Sequence, residues 1–243
     1  MKYWGLKIGV ILILFFSIAY VTLATEKGRP YYEKKGYILW EIKTEEKVIA
    51  LTFDDGPDQT YTTQILDLLA KYDAKATFFV IGERAEKFPD LIRKLDDEGH
   101  EIANHTYTHS HSITAENLEK ELKKTNELIH DITGTYPLLY RPVGGSYNDR
   151  IINTAVENGY KVIMWSWHQD TKDWKRPGVN NIITTVLSGA TPGNIVLFHD
   201  AGGDRSQTVT ALENILPALE QKGYKFVTVS ELLDRTSVEV INK

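Results

Sequence analysis

The chain has 243 residues, of which 42% are apolar and 11% aromatic, a formal charge of −5 and no cysteine. That length accommodates one large domain or two small ones around a sizeable core, and the composition excludes collagen-like and disordered classes. An acidic chain without a basic stripe argues against nucleic acid as a partner, and the lack of cysteine fits an extracytoplasmic protein that avoids chance disulfides.

The N-terminus opens with "MKYWGLK" and continues through 17 residues, Ile8 to Ala24, without a charge. At about 1.5 Å of rise per residue this makes roughly 25 Å of helix, a little short of a bilayer core of about 30 Å. Length therefore leaves two readings open over residues 1–24, a secretory signal ending near Thr22-Leu23-Ala24 or an uncleaved membrane anchor. In both, the basic flank stays cytoplasmic and the rest of the chain lies outside, secreted to the cell wall or tethered to the membrane. Without Lys2 and Lys7 the exported part is two units more negative than the whole.

Residues 25–47 are charged and irregular apart from "YILW", and read as a linker leading to a capping segment. From Val48 to the C-terminus the pattern is regular and reads as one domain. Seven β-rich runs follow in order: "VIALTF", "ATFFVIG", "HEIAN", "LLYRP", "KVIMWS", "NIVLFH" and "KFVTVS". Between them lie helix-period segments, beginning with "TYTTQILDLLAKY" and ending with "SQTVTALENILPALEQKGY". Strands interleaved with helices imply parallel βαβ units. No glycine-rich phosphate loop follows the first strand, so a distorted (β/α) barrel of about seven parallel strands is expected ahead of an open nucleotide-binding sheet.

In either architecture chemistry sits beyond the C-terminal ends of the strands. The unusual polar residues fall there: Asp54 and Asp55, His105 and His109, Arg141, then Asp170, Asp173 and Trp174, and finally His199 and Asp200. His105 and His109 in "HTYTH" can aim two imidazoles at one point, and a carboxylate from the first strand completes three ligands for a divalent metal with an open position. "FDDGP" needs one aspartate for its turn but has two. Neighbours at a strand end point apart, so one can bind metal while the other stays free as a base. Arg141 either caps its strand or pairs with the free carboxylate. His199 is a core histidine unless Asp173 reaches it, in which case the pair makes a general acid. Trp174 reads as a ligand-facing wall and Trp165 as core, while His100, His111, His130 and His168 are expected to have ordinary structural places.

Five ordered motifs, "TFDDGP", "HTYTH", "RPVGG", "DTKDW" and "LFH", make residues 48–233 resemble the NodB-homology polysaccharide deacetylases, carbohydrate esterase family 4. The resemblance implies Asp54 as general base, Asp55, His105 and His109 as metal ligands, and His199 as general acid. It also implies that Arg141 orients Asp54, that Asp173 tunes His199, and that Leu197 and Trp174 shape the acetyl pocket. The implied cofactor is one divalent ion, zinc, with cobalt or nickel as alternatives. The third motif departs from the family pattern, with Val143 and Gly144 in place of proline and an aromatic. The oxyanion-binding N–H would then come from Gly144, and a groove wall would be missing.

The implied activity is N-deacetylation of an acetylated polysaccharide such as peptidoglycan or chitin-like oligomers, by a monomer. Three rivals stand beside it: O-deacetylation of the acetylxylan type, a catalytically dead glycan-binding protein, and an iron(II) oxygenase triad, which would leave Asp54 and His199 without a role.

Overall fold

The structure, a computed structural model, describes residues 27–241; the segment expected to be a signal or anchor lies outside the described residues. In chain order the elements are α1 (Arg29–Lys35), β1 (Ile38–Leu39), β2 (Val48–Asp54), α2 (Tyr61–Lys71), β3 (Ala76–Val80), α3 (Gly82–Lys87), α4 (Pro89–Asp97) and β4 (Glu101–Asn104). There follow α5 (Ala115–Thr133), β5 (Leu139–Tyr140), α6 (Asp149–Glu157), β6 (Lys161–Ile163), α7 (Val179–Gly189), β7 (Ile195–His199), α8 (Ser206–Gln221), β8 (Lys225–Phe226) and α9 (Val229–Ile241). Among the described residues no helix is long and apolar enough to cross a membrane.

All seven expected runs are strands, and every ladder between them is parallel, in the order β1-β6-β5-β4-β3-β2-β7 with β8 on the first residues of β2. The open side is stitched together where Ser166 N donates to Ile195 O at 3.0 Å, Asp170 bridges Leu197 and Glu41 bridges Asn194. The result is a distorted (β/α) barrel.

Because both faces of such a sheet are covered, its strands are apolar runs, and alternation decides only which layer each residue enters. Ile49, Leu51 and Phe53 face outward onto Ile65, Leu66, Leu212 and Ile215 of α2 and α8. Val48 and Ala50 face inward, where Phe79, Ala103, Leu139, Ile163 and Ile195 fill the barrel. The same period of two carries Thr52 and Asp54 to the inner face, so Asp54 enters the barrel mouth by strand geometry alone.

The segment before Val48 does more than lead into the barrel. "YILW" supplies β1, which pairs with β6, and Tyr32, Ile38 and Trp40 are buried against Tyr140, Ile152 and Val162. A two-residue strand is too short for periodicity to reveal. Side-chain caps fix two helix starts, with Thr114 accepting from Asn117 N and Asn148 accepting from Ile151 N.

Candidate active site

Strand β2 ends at Asp54, and Asp55 leaves it with φ at 75°. This left-handed step, unusual for a residue with a side chain, turns the second carboxylate out of the strand's alternation. The two aspartates diverge for that reason. Gly56 follows because a Cβ there would overlap the carboxyl group of Asp200, whose N–H donates to Asp54 O at 3.1 Å.

Asp55 Oδ1 lies 3.0 Å from His109 Nε2 and 3.6 Å from His105 Nε2. The ligand atoms of these three residues all lie within 4.8 Å of one another. His105 Nδ1 meets Arg141 O at 2.8 Å, an arrangement that fixes the ring and leaves Nε2 as the free donor atom. Burial pushes His105 below the usual imidazole range despite the nearby Asp54 and Asp55 charges, which favours the neutral form a metal requires. Burial would raise Asp55, but His109, His105 and His199 outweigh it and hold the carboxyl well below the ordinary range. Two imidazoles and one carboxylate in this arrangement fit a divalent ion with an open position. His109 also has a left-handed φ, of 58°, and its loop is held by Glu121, which accepts from the N–H groups of Tyr107 and Thr108 at 3.1 Å each.

Arg141 is fully buried. Its Nη1 donates to Asp54 Oδ1 at 2.6 Å and to Thr52 Oγ1 at 2.9 Å, while Nε and Nη2 bond the carbonyls of Ile163 and Met164. Asp54 Oδ2 is left facing His105 Nε2 at 3.9 Å. On β7, directly across the ladder from Asp54, stands His199. Its Nδ1 contacts Asp173 Oδ1 at 2.7 Å, and Asp173 Oδ2 accepts from His199 N and Thr208 Oγ1. Burial alone would lower the imidazole; the Asp173 contact, aided by the charges of Asp54 and Asp55, reverses this and pushes it up to about 9.

Asp54, Asp55, His105, His109, Gly144, Trp174, Leu197 and His199 line a single cavity of about 530 Å³, with Arg141 and Asp173 buried behind it. A larger cavity of about 730 Å³ lies between α1 and the starts of α5 and α6 and contains none of these groups.

Four residues given other roles, or none, by the sequence also belong here. His111 lines the cavity, its ring 5.2 Å from that of His109. Trp165, assigned to the core, packs against the barrel interior and also reaches the cavity wall. Arg205 is buried beneath Gly202 and Gly203 at the cavity edge, and Glu121 positions the histidine loop. His111 has a sequence signal, its closeness to the His-x3-His pair. The other three have none, because they arrive through loop conformation.

These features fit a barrel hydrolase with three potential metal ligands beside a carboxylate and an imidazole, and the chain belongs to the polysaccharide deacetylase family, whose sequence model matches residues 41–163. It is 51% identical over 207 residues to a peptidoglycan-N-acetylglucosamine deacetylase of Bacillus cereus, covering 84% of this chain and 97% of that one. A chitooligosaccharide deacetylase of Rhizobium leguminosarum bv. trifolii is 40% identical over 198 residues, covering 76% and 91%. Among solved structures, the Bc1960 peptidoglycan N-acetylglucosamine deacetylase superposes with a TM-score of 0.79 at 35% identity, covering 83% of this chain and 94% of that one. The family's deacetylases are metal-dependent, and the Asp55, His105 and His109 cluster is suited to that requirement.

Proposed function

We propose that this protein removes N-acetyl groups from N-acetylglucosamine residues of peptidoglycan or chito-oligomers, outside the cytoplasm, with zinc at the site. The observation that carries this reading is that Asp54 and His199, paired across neighbouring strands, line one cavity with the Asp55, His105 and His109 cluster.

A divalent ion held by Asp55, His105 and His109 would polarise the acetyl carbonyl and acidify a water. Asp54, fixed through Oδ1 by Arg141, uses Oδ2 to take a proton from the attacking water. The Gly144 N–H stabilises negative charge developing on the carbonyl oxygen, and Leu197 and Trp174 bound the acetyl end. His199, protonated and braced by Asp173, gives a proton to the leaving nitrogen as the C–N bond breaks, yielding acetate and a free amine. An amide requires this acid because an amine anion is a very poor leaving group.

The test is acetate release by residues 25–243 from chitooligosaccharide, peptidoglycan and acetylxylan, with and without a chelator. The expected result is release from the N-acetylated glycans, lost on chelation and restored by zinc, cobalt or nickel. Activity indifferent to the chelator, or binding of glycan without any release, overturns the reading.

The acid's environment makes a pH prediction. With His199 titrating near 9, the rate stays high until the pH approaches that value and falls above it as the imidazole loses its proton. In Asp173→Asn the main raising partner is gone and burial remains, so the alkaline limb of the kcat/KM profile shifts to lower pH. An unmoved limb would remove His199 from the role of acid.

A further inference from the structure

The mechanism leaves one buried cation at the catalytic cavity without a task. Arg205 is 4% exposed and lines the cavity, yet among the described residues its guanidinium pairs with no carboxylate. Its one side-chain hydrogen bond there runs from Nε to Ala201 O at 2.6 Å, which leaves Nη1 and Nη2 uncommitted. Arg141, just as deeply buried, commits Nε and both Nη nitrogens. The carboxylates near Arg205 are engaged elsewhere. Asp204 meets Arg176 Nη2 at 2.9 Å and accepts from the Tyr61 hydroxyl, Asp55 meets His109 at 3.0 Å, and Asp173 meets His199. A guanidinium keeps its charge at any working pH, and burying a charge without a partner is costly. One left open beside catalytic groups is placed to receive an anion from outside the chain.

The loop over Arg205 keeps it accessible. Gly202 and Gly203 take φ of 79° and 144°, conformations that favour glycine. A Cβ on Gly202 would stand 2.8 Å from Asp55 Oδ2 and 3.3 Å from Arg205 Nη2, which sets the guanidinium close to a metal ligand with no side chain between them. A Cβ on Gly203 would lie 3.9 Å from both Nη1 and Nη2, so only bare backbone passes that edge. Two N–H groups on one edge of a planar cation match the two oxygens of a carboxylate.

We infer that Arg205, beneath Gly202 and Gly203, is a carboxylate-binding site at the edge of the catalytic cavity, separate from the three metal ligands. The site stands on this geometry. That acetate occupies it rests on the deacetylase reading, under which each turnover makes one acetate in this cavity. The other source of the same chemistry is a carboxylate carried by the glycan. Acetate held on Arg205 stays beside the metal ligands after the C–N bond has broken, so acetate inhibits through this arginine.

The experiment titrates full-length protein in mild detergent with acetate, followed by NMR, with acetamide as the neutral control. Expected is a loss of acetate affinity of about tenfold in Arg205→Met, partly recovered in Arg205→Lys, which keeps the charge without the fork, and no change with acetamide. Equal acetate binding in all three proteins overturns the site. Arg205→Met also removes an unpaired buried charge, so its thermal melt without acetate should hold or rise. A lower melt with acetate and acetamide binding weakened alike would make Arg205 a prop for the loop and overturn the site. Inhibition of chitopentaose deacetylation by acetate, taken against each protein's own uninhibited rate, then identifies the source. A tenfold weaker inhibition in Arg205→Met assigns the site to released acetate. A rise in KM confined to a muramic acid oligomer with free lactyl carboxylates, and absent for its amide, assigns it to the substrate. If no glycan is ever deacetylated, the acetate titration still decides for or against the site.

Discussion

Asp55→Asn should strip the protein of its divalent ion, whereas Asp54→Asn should keep the ion and lose turnover. Asparagine is the informative replacement at both positions. At residue 55 it tolerates the left-handed φ of 75° that alanine would strain, so lost metal reports a lost ligand charge and not a broken turn. At residue 54 its side-chain oxygen still accepts from Arg141 Nη1, so the fold keeps its cross-link while the base is gone. Losing a general base costs roughly 10²–10⁴ in rate. Losing a direct ligand should weaken metal binding by more than the roughly 10–100-fold typical of removing a partner that only orients a ligand. Metal content after dialysis against buffered zinc, read beside kcat, gives both answers. If both variants lose metal equally, the proposed division of labour between the aspartates is wrong.

Arg141→Met should be the most destabilising single change in the site. The guanidinium spans β2, β5 and β6, bonding Asp54, Thr52 and two carbonyls while its Cζ lies 3.9 Å from the centre of the Phe79 ring. Methionine keeps much of the volume and leaves the Asp54 carboxylate buried without its cation. Breaking one side of a buried pair costs about 3–5 kcal/mol, which for a domain of this size lowers Tm by roughly 6–20 °C. Turnover should fall as well, because nothing then fixes Asp54 Oδ1. A thermal melt unchanged by the substitution would show that the buried network is not holding the barrel mouth.

How far these roles could be read in the sequence depended on what carries each residue. Residues at strand ends were legible. Asp54 follows Thr52 inward on a seven-residue buried strand, and His199 closes β7 in the same way, so polarity at the end of an apolar run was enough. Pairs inside one short motif, such as His105 and His109, were legible for the same local reason. Residues delivered by loop conformation were not. The entry of His111 into the cavity depends on a left-handed His109, and the reach of Trp165 depends on Gly145 lying flat against it. Hydrophobic periodicity carries no information about either. The short strand β1 escaped for want of length, and the six-residue helix α3 spans too few turns to show a period.

The pairing of Asp54 with His199 across the β2 and β7 ladder has a consequence for how this catalyst can change. Neighbouring strands keep a spacing of about 4.7–4.9 Å, set by backbone hydrogen bonds that no loop controls. The separation of Asp54 and His199, the proposed base and acid, is therefore inherited from the barrel itself. Trp174, His111, Gly144 and Gly145 stand instead on connecting segments that can be lengthened, shortened or exchanged. A library that grafts new loops onto this rim should diversify glycan preference while leaving the acid-base spacing untouched, so the scaffold separates what is cut from how it is cut.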